Sequence, residues 1–188
     1  MTDQSVSVAR VSTAREWWNQ VRLNPGAQAK LRRSRDRIEG MLIPQALQLA
    51  RRLKATGPDD PQFGTAIDLA RVLAHIRSDN GERPMRAVGW PSFPRDGGDG
   101  SSDARPRLSE VRFKRLLRST AGEDRVSAFI RLIALMEGHA NVAAIADAFR
   151  QWDHPDGRVK QRWAFEYFNA AQAAPAAATT VSEENSQS

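Results

Sequence analysis

Apolar residues recur at helical spacing along most of the chain, and no stretch alternates as a half-buried strand would. Thr13-x-x-Glu16 has the spacing of a capping box. It predicts a helix from there to about Leu23, with Trp17, Trp18, Val21 and Leu23 as its apolar surface. Asn24-Pro25-Gly26 breaks the chain, and Pro25 suits the first turn of a second helix over about 26–39. A third helix is predicted over about 43–55, carrying Ile43, Ala46, Leu47, Leu49, Ala50 and Leu53, and Thr56-Gly57-Pro58 stops it. A fourth, about 61–78, has Phe63, Ile67, Ala70, Leu73, Ala74 and Ile76 at helical spacing.

The pattern then lapses. Residues 80–106 are dense in Gly, Pro, Asp and Ser, and the stretch is longer than most connections inside a compact domain. It predicts an irregular crossover, with Trp90 and Phe93 pinning part of it to the surface or to a partner. Periodicity resumes over about 108–119. The next helix, about 123–137, is apolar nearly all round, the mark of a central buried helix, and Gly138 ends it. Further helices are predicted over about 141–152 and 157–171, divided by the turn Asp153-His154-Pro155-Asp156-Gly157. The Ala-rich, low-complexity end reads as disorder. The expected architecture is an all-α bundle of about eight helices in two lobes joined by an irregular loop. Its parts are a flexible N-terminus (1–11), an N-terminal lobe (12–79), the loop (80–106), a C-terminal lobe (107–171) and a disordered tail (172–188).

Composition narrows the chemistry. No cysteine among 188 residues excludes disulfides, thiolate metal sites and a cysteine nucleophile. His75, His139 and His154 lie far apart and form no metal-ligand spacing. The glycine-rich Gly97-Gly98-Asp99-Gly100 lacks the preceding strand and following Lys-Ser/Thr of a phosphate loop. Neither an enzyme, a cofactor, a metal nor a small-molecule substrate is expected. No apolar run reaches the roughly 18 residues of a membrane span, and the first residues lack a signal-peptide core, so a cytoplasmic protein is expected.

The charge is informative. Lys plus Arg is 28 against 22 Asp plus Glu, a net charge of +6, and only Lys30, Lys54, Lys114 and Lys160 are lysines. A GC-rich coding bias favours arginine; so does phosphate binding, because the guanidinium fork matches phosphate oxygens bidentately. Placement separates the two. On an ideal helix over 26–39, Ala27, Leu31 and Ile38 fall within about 40° of each other, while Lys30, Arg33 and Arg37 cluster between about 200° and 260°, with Arg32 flanking. On the helix near 108–119, Phe113, Leu116 and Leu117 share one side. Lys114, Arg115 and Arg118 share the other, with Arg112 at the edge, Arg107 just before, and Val111 within the basic arc. A third patch, Arg158, Lys160 and Arg162, opens the last helix, where positive charge opposes the helix dipole; Arg162 also has Glu166 one turn on as a partner. These faces read as a surface that follows a nucleic-acid backbone; solvated faces balanced by acids are the competing reading.

In order, the stretches WWNQV, PGAQAKLRRS, VRFKRLLRS, AFIRLIALM, the Trp152 turn and RVKQRWAFEYF resemble the CasB family, the small subunit of the type I-E CRISPR Cascade effector. The resemblance spans about 14–168 outside the 80–106 loop. It implies an all-α, non-catalytic protein, present as two copies in the complex and packed on the other Cascade subunits. There it would help hold the hybrid of guide RNA and target DNA and the displaced strand. The family's basic residues then fall on Arg32, Arg33, Arg112, Arg115, Arg131, Arg158, Lys160 and Arg162. Arg131, the one charge amid a buried helix, has two readings: a core arginine paired with an acid such as Asp147, or a contact to nucleic acid. Two other functions stay open: a scaffold whose arginines meet acidic patches on partner subunits, and a stand-alone basic helical regulator that binds duplex DNA.

Overall fold

A computed structural model describes residues 3–89 and 105–169, with side chains placed from residue 12 onward. Trp90, Phe93, the Gly/Asp-rich segment and the C-terminal tail lie outside the described residues. Ten helices follow in order: α1 (Asp3–Arg22), α2 (Pro25–Arg33), α3 (Arg37–Met41), α4 (Pro44–Arg52), α5 (Pro61–Leu73), α6 (Pro84–Val88), α7 (Glu110–Arg118), α8 (Glu123–Leu135), α9 (Val142–Arg150) and α10 (Arg158–Phe168). The all-α fold stands; among the described residues β pairing is limited to one isolated bridge between Ser78 and His139.

The central helix is α5, not α8. Every residue from Ala66 to Leu73 is buried, and α2, α3, α4, α8 and α9 all pack on it. Its centrality was masked in the sequence because Asp68 and Arg71 interrupt the apolar pattern; both are buried as ion pairs. On α8 the apolar circumference is incomplete, since Arg131 and Ala134 face outward. Helix α1 lays Trp17 and Trp18 against α4 and α9. The indole nitrogens donate to the Gln45 and Ile76 carbonyls, which satisfies the polar edges that burial strips of water. Trp152 and Trp163 are also buried; Trp152 packs edge-on against both Phe129 and Trp163, and Trp163 lies tilted on Phe129. Helices from both sides of residues 80–106 contribute to one apolar core.

Several boundaries differ from the sequence reading. Helix α1 begins before Thr13, so Thr13-x-x-Glu16 lies within a helix rather than at its start. Leu23 follows the end of α1 and is 82% exposed. Helix α5 stops at Leu73, and residues 84–88 of the expected irregular loop form α6, which buries Met85 and Val88.

The largest departure is in the second predicted helix, which is two helices. Ser34 ends α2: its hydroxyl donates to the Leu31 carbonyl, and Arg71 from α5 donates to both the Ser34 hydroxyl and the Ser34 carbonyl. Asp36 then caps α3 by accepting from the Glu39 amide. The break swings Arg37 onto Asp68, with contacts of 2.5 and 3.1 Å, and leaves Ile38 71% exposed rather than in the core. Close approach makes this possible. A Cβ on Gly64 would sit 2.8 Å from an Arg37 guanidinium nitrogen, so a larger residue there would push that side chain from its present path across α5.

Candidate nucleic-acid interface

The candidate cations divide by what they meet. Arg37 is held by Asp68, and that hydrogen bond raises its pKa above the ordinary arginine value. Arg107 bridges to Glu137 at 3.0 Å and also donates to the Leu135 carbonyl at the end of α8. Arg158 pairs with Asp156, whose side chain also accepts from the Arg158 amide. That acid offsets the adverse placement of positive charge at the start of α10. Arg162 reaches Asp147 at 3.3 Å rather than Glu166, which is taken by Arg83 at 2.9 Å. Lys160 lies over the Trp152 ring, 5.3 Å from its centroid.

The others make no ion pair among the described residues. On α2 these are Lys30, Arg32 and Arg33, all exposed. They occupy the last turn, where positive charge complements the C-terminal carbonyls, so local helix energetics gives them a role of their own. Arg32 also sits close enough to His75 to help burial lower the imidazole pKa.

The remaining four are Arg112, Arg115, Arg118 and Arg131, and three of them converge. Arg112 and Arg115 stand one turn apart on α7, and Arg131 stands opposite on α8. Together they rim a groove of about 420 Å³ whose other lining residues are Leu108, Leu116, Ala128, Leu132, Ala134 and Leu135. No acid lines it. Arg118 is exposed elsewhere on α7, on the side of Val111, which is 78% exposed, and of Lys114, paired with Glu110 at 3.9 Å.

Local sequence explains why the groove forms. Phe113 and Leu116 anchor α7 to the core, and Tyr167 of α10 stacks on Phe113 with ring centroids 4.0 Å apart. The Tyr167 hydroxyl donates to the Leu108 carbonyl at 2.6 Å. Burial, and the negative charge of Glu110, push that phenol up to about 12. On α8 the small residues Ala128 and Ala134 flank Arg131 by three positions each way, and their short side chains leave the depression that longer residues would fill. The sequence signal for this site was therefore the pair of alanines about Arg131, which apolar periodicity alone passes over. Of the two readings of Arg131, the core pairing with Asp147 does not form: Arg131 is exposed and Asp147 holds Arg162.

Seven of the candidate cations, on α2, α7 and α8, are therefore exposed with no ion pair among the described residues, and one trio lines a shared cavity. Among the described residues no group of three or more His, Cys, Asp or Glu side chains is placed to hold a metal. Likewise no helix is long and apolar enough to cross a membrane. Residues 7–168 match the family model described as CRISPR-associated protein Cse2. No curated protein and no solved structure gives a significant match.

Proposed function

This chain belongs to the Cse2 family, the non-catalytic small subunits of type I-E Cascade in CRISPR defence, and on that premise we propose that its unpaired arginines grip nucleic-acid backbone within the complex. The guide RNA–target DNA hybrid and the displaced strand are the ligands, and holding them stabilises the R-loop. In such assemblies base pairing reads sequence, so the small subunit needs only to hold charge and shape. A second copy of the chain and the neighbouring subunits complete the surface.

The observation that carries this reading is the groove between α7 and α8. Three arginines line one space with no carboxylate among its described lining residues, and like charges so placed repel unless an anion joins them. Helix dipoles account for the cations of α2, but not for Arg112 in the first turn of α7 or for Arg131 midway along α8. A protein-only scaffold would put acids from a partner subunit there instead.

The test uses the assembled complex. With Arg112, Arg115 and Arg131 all changed to Ala, target-DNA affinity should fall at least tenfold at moderate salt. The slope of log affinity against log salt should flatten by about 2, roughly 0.7–0.9 per lost phosphate contact. Unchanged affinity and slope in a complex of normal composition would overturn the reading; loss of the subunit from the complex would favour the scaffold.

A further inference from the structure

Phosphate binding explains the rim of the α7–α8 groove but not its floor. Leu108, Leu116, Leu132 and Leu135, with Ala128 and Ala134, offer a phosphate nothing, and pressing a charged group onto them costs hydration without return. A surface that only tracked backbone would raise its cations on a convex face, as Lys30, Arg32 and Arg33 are raised on α2. The groove instead couples an apolar slot to positive walls on both sides, Arg112 and Arg115 from α7 and Arg131 from α8.

One nucleic-acid unit has that pattern: a flat, largely apolar base with an anionic phosphate on either side. In a duplex the base faces are covered by their stacked neighbours, so only an unpaired, unstacked nucleotide offers its base to such a slot. We propose that the α7–α8 groove is a subsite for a single-stranded nucleotide, with the base seated on the leucine floor and its flanking phosphates held by Arg112 and Arg115 on one side and Arg131 on the other.

This deepens the nucleic-acid reading above and rests on it. The volume, about 420 Å³, lies in the range of sites that enclose small ligands. Guanidinium planes along the walls can also stack on a base face, as arginines do in single-strand binding. Apart from the three arginines, the lining side chains carry no hydrogen-bonding group, so base edges are not read and the subsite accepts any base. That indifference suits a complex in which sequence is read by a guide.

The experiment measures fluorescence anisotropy of the full chain with three probes: a labelled 12-mer of deoxythymidine, the same oligomer with alternate bases removed, and a 12-base-pair duplex. The expected result is about fivefold or greater loss of affinity on removing the bases, the lower end of what a stacked base contributes, with the duplex bound no better than the abasic strand. The variant Ala134→Leu, at an exposed position, fills the slot and leaves the arginines in place. It should cost the normal oligomer a similar factor while leaving abasic binding and its salt slope unchanged. Equal affinity for normal and abasic strands, with a normal salt slope, would overturn the subsite and leave the backbone grip standing. Absence of salt-dependent binding to all three probes would overturn the subsite, while the backbone grip is decided by the triple variant in the assembled complex. Ala134→Leu altering assembly with partner subunits but not oligomer binding would assign the groove to a protein segment instead.

Discussion

Two groups of arginines in this molecule do opposite work. Around α5, Arg37 and Arg71 converge on Asp68, and Arg71 also holds Glu123 through contacts of 2.5 and 3.0 Å. Each of these charges is matched, and the network joins α3, α5 and α8. Around the α7–α8 groove, Arg112, Arg115 and Arg131 are matched by nothing among the described residues. The same side chain is a structural clamp where carboxylates meet it in the interior and, on the function proposed above, a docking point where they do not. A net charge of +6 could not show which arginines did which, because it averages over both groups.

Breaking the matched group should produce the largest effect. Asp68 is fully buried and accepts from Arg37 while facing Arg71 at 3.5 Å. Asp68→Ala leaves the half-exposed Arg37 to solvent and Arg71 to Glu123 and Ser34, so it should cost less than the roughly 3–5 kcal/mol of stranding a wholly buried partner, about 2–3 kcal/mol. That is a large share of the roughly 5–15 kcal/mol that holds an ordinary domain together. Urea denaturation of the full chain measures it. A loss under about 1 kcal/mol would show that Glu123 and Ser34 hold Arg71 without help from Asp68 and that Arg37 is solvated rather than clamped.

The unmatched group should respond in reverse. Replacing Arg112, Arg115 and Arg131 together by Ala should leave stability within about 0.5 kcal/mol per site, because exposed side chains without partners contribute little. Relief of their mutual repulsion even favours a small gain. Nucleic-acid affinity, by contrast, should fall as argued above. A triple variant that loses several kcal/mol in urea would make the groove a structural feature and erase the contrast.

The α10 patch sharpens the comparison from between the two extremes. Arg158 and Arg162 are paired, but at the surface, where ion pairs contribute about 0–1 kcal/mol. Arg158→Ala should therefore cost somewhat more stability than any groove arginine does, and reduce salt-dependent binding less. Parallel melts and anisotropy titrations check this. A larger binding loss from Arg158→Ala than from Arg115→Ala would shift the interface to α10.

Most of the helical fold was legible because a core of this size imposes periodicity on every amphipathic segment. Phe113 and Leu116 on α7, or Ile145 and Phe149 on α9, announce themselves by spacing alone. The largest misreadings share one cause: side chains that satisfy backbone or charge at long range. Ser34 and Asp36 end α2 and begin α3 with the help of Arg71, which lies 37 residues away from Ser34 in sequence. No window around residue 34 contains that partner. The site was legible to the same degree. Arg112 and Arg115 could be found on one helix, but their convergence with Arg131 depends on how α7 lies on α8. The neutralisation of Arg37, Arg107 and Arg162 depends likewise on acids 31, 30 and 15 residues away.

A titratable group near α2 gives the mildest probe of the contrast. His75 follows α5; partial burial lowers its pKa, and the positive charges of Arg32 and Arg71, one from each class of arginine, lower it further. The folded state therefore binds its proton less readily than the unfolded chain, whose imidazole titrates near 6.5. Stability from this residue is fully present above that pH and is lost as pH falls below it, because protonation favours unfolding. Thermal melts between pH 7.5 and 5 should show a decline that is shallower in His75→Gln, which keeps a polar side chain without the titration. Arg32→Ala should also shallow it, by less, since it removes only the secondary cause. If Arg32→Ala flattens the decline as much as His75→Gln does, then charge rather than burial controls the imidazole, and Arg32 is held against the fold instead of standing free for a ligand.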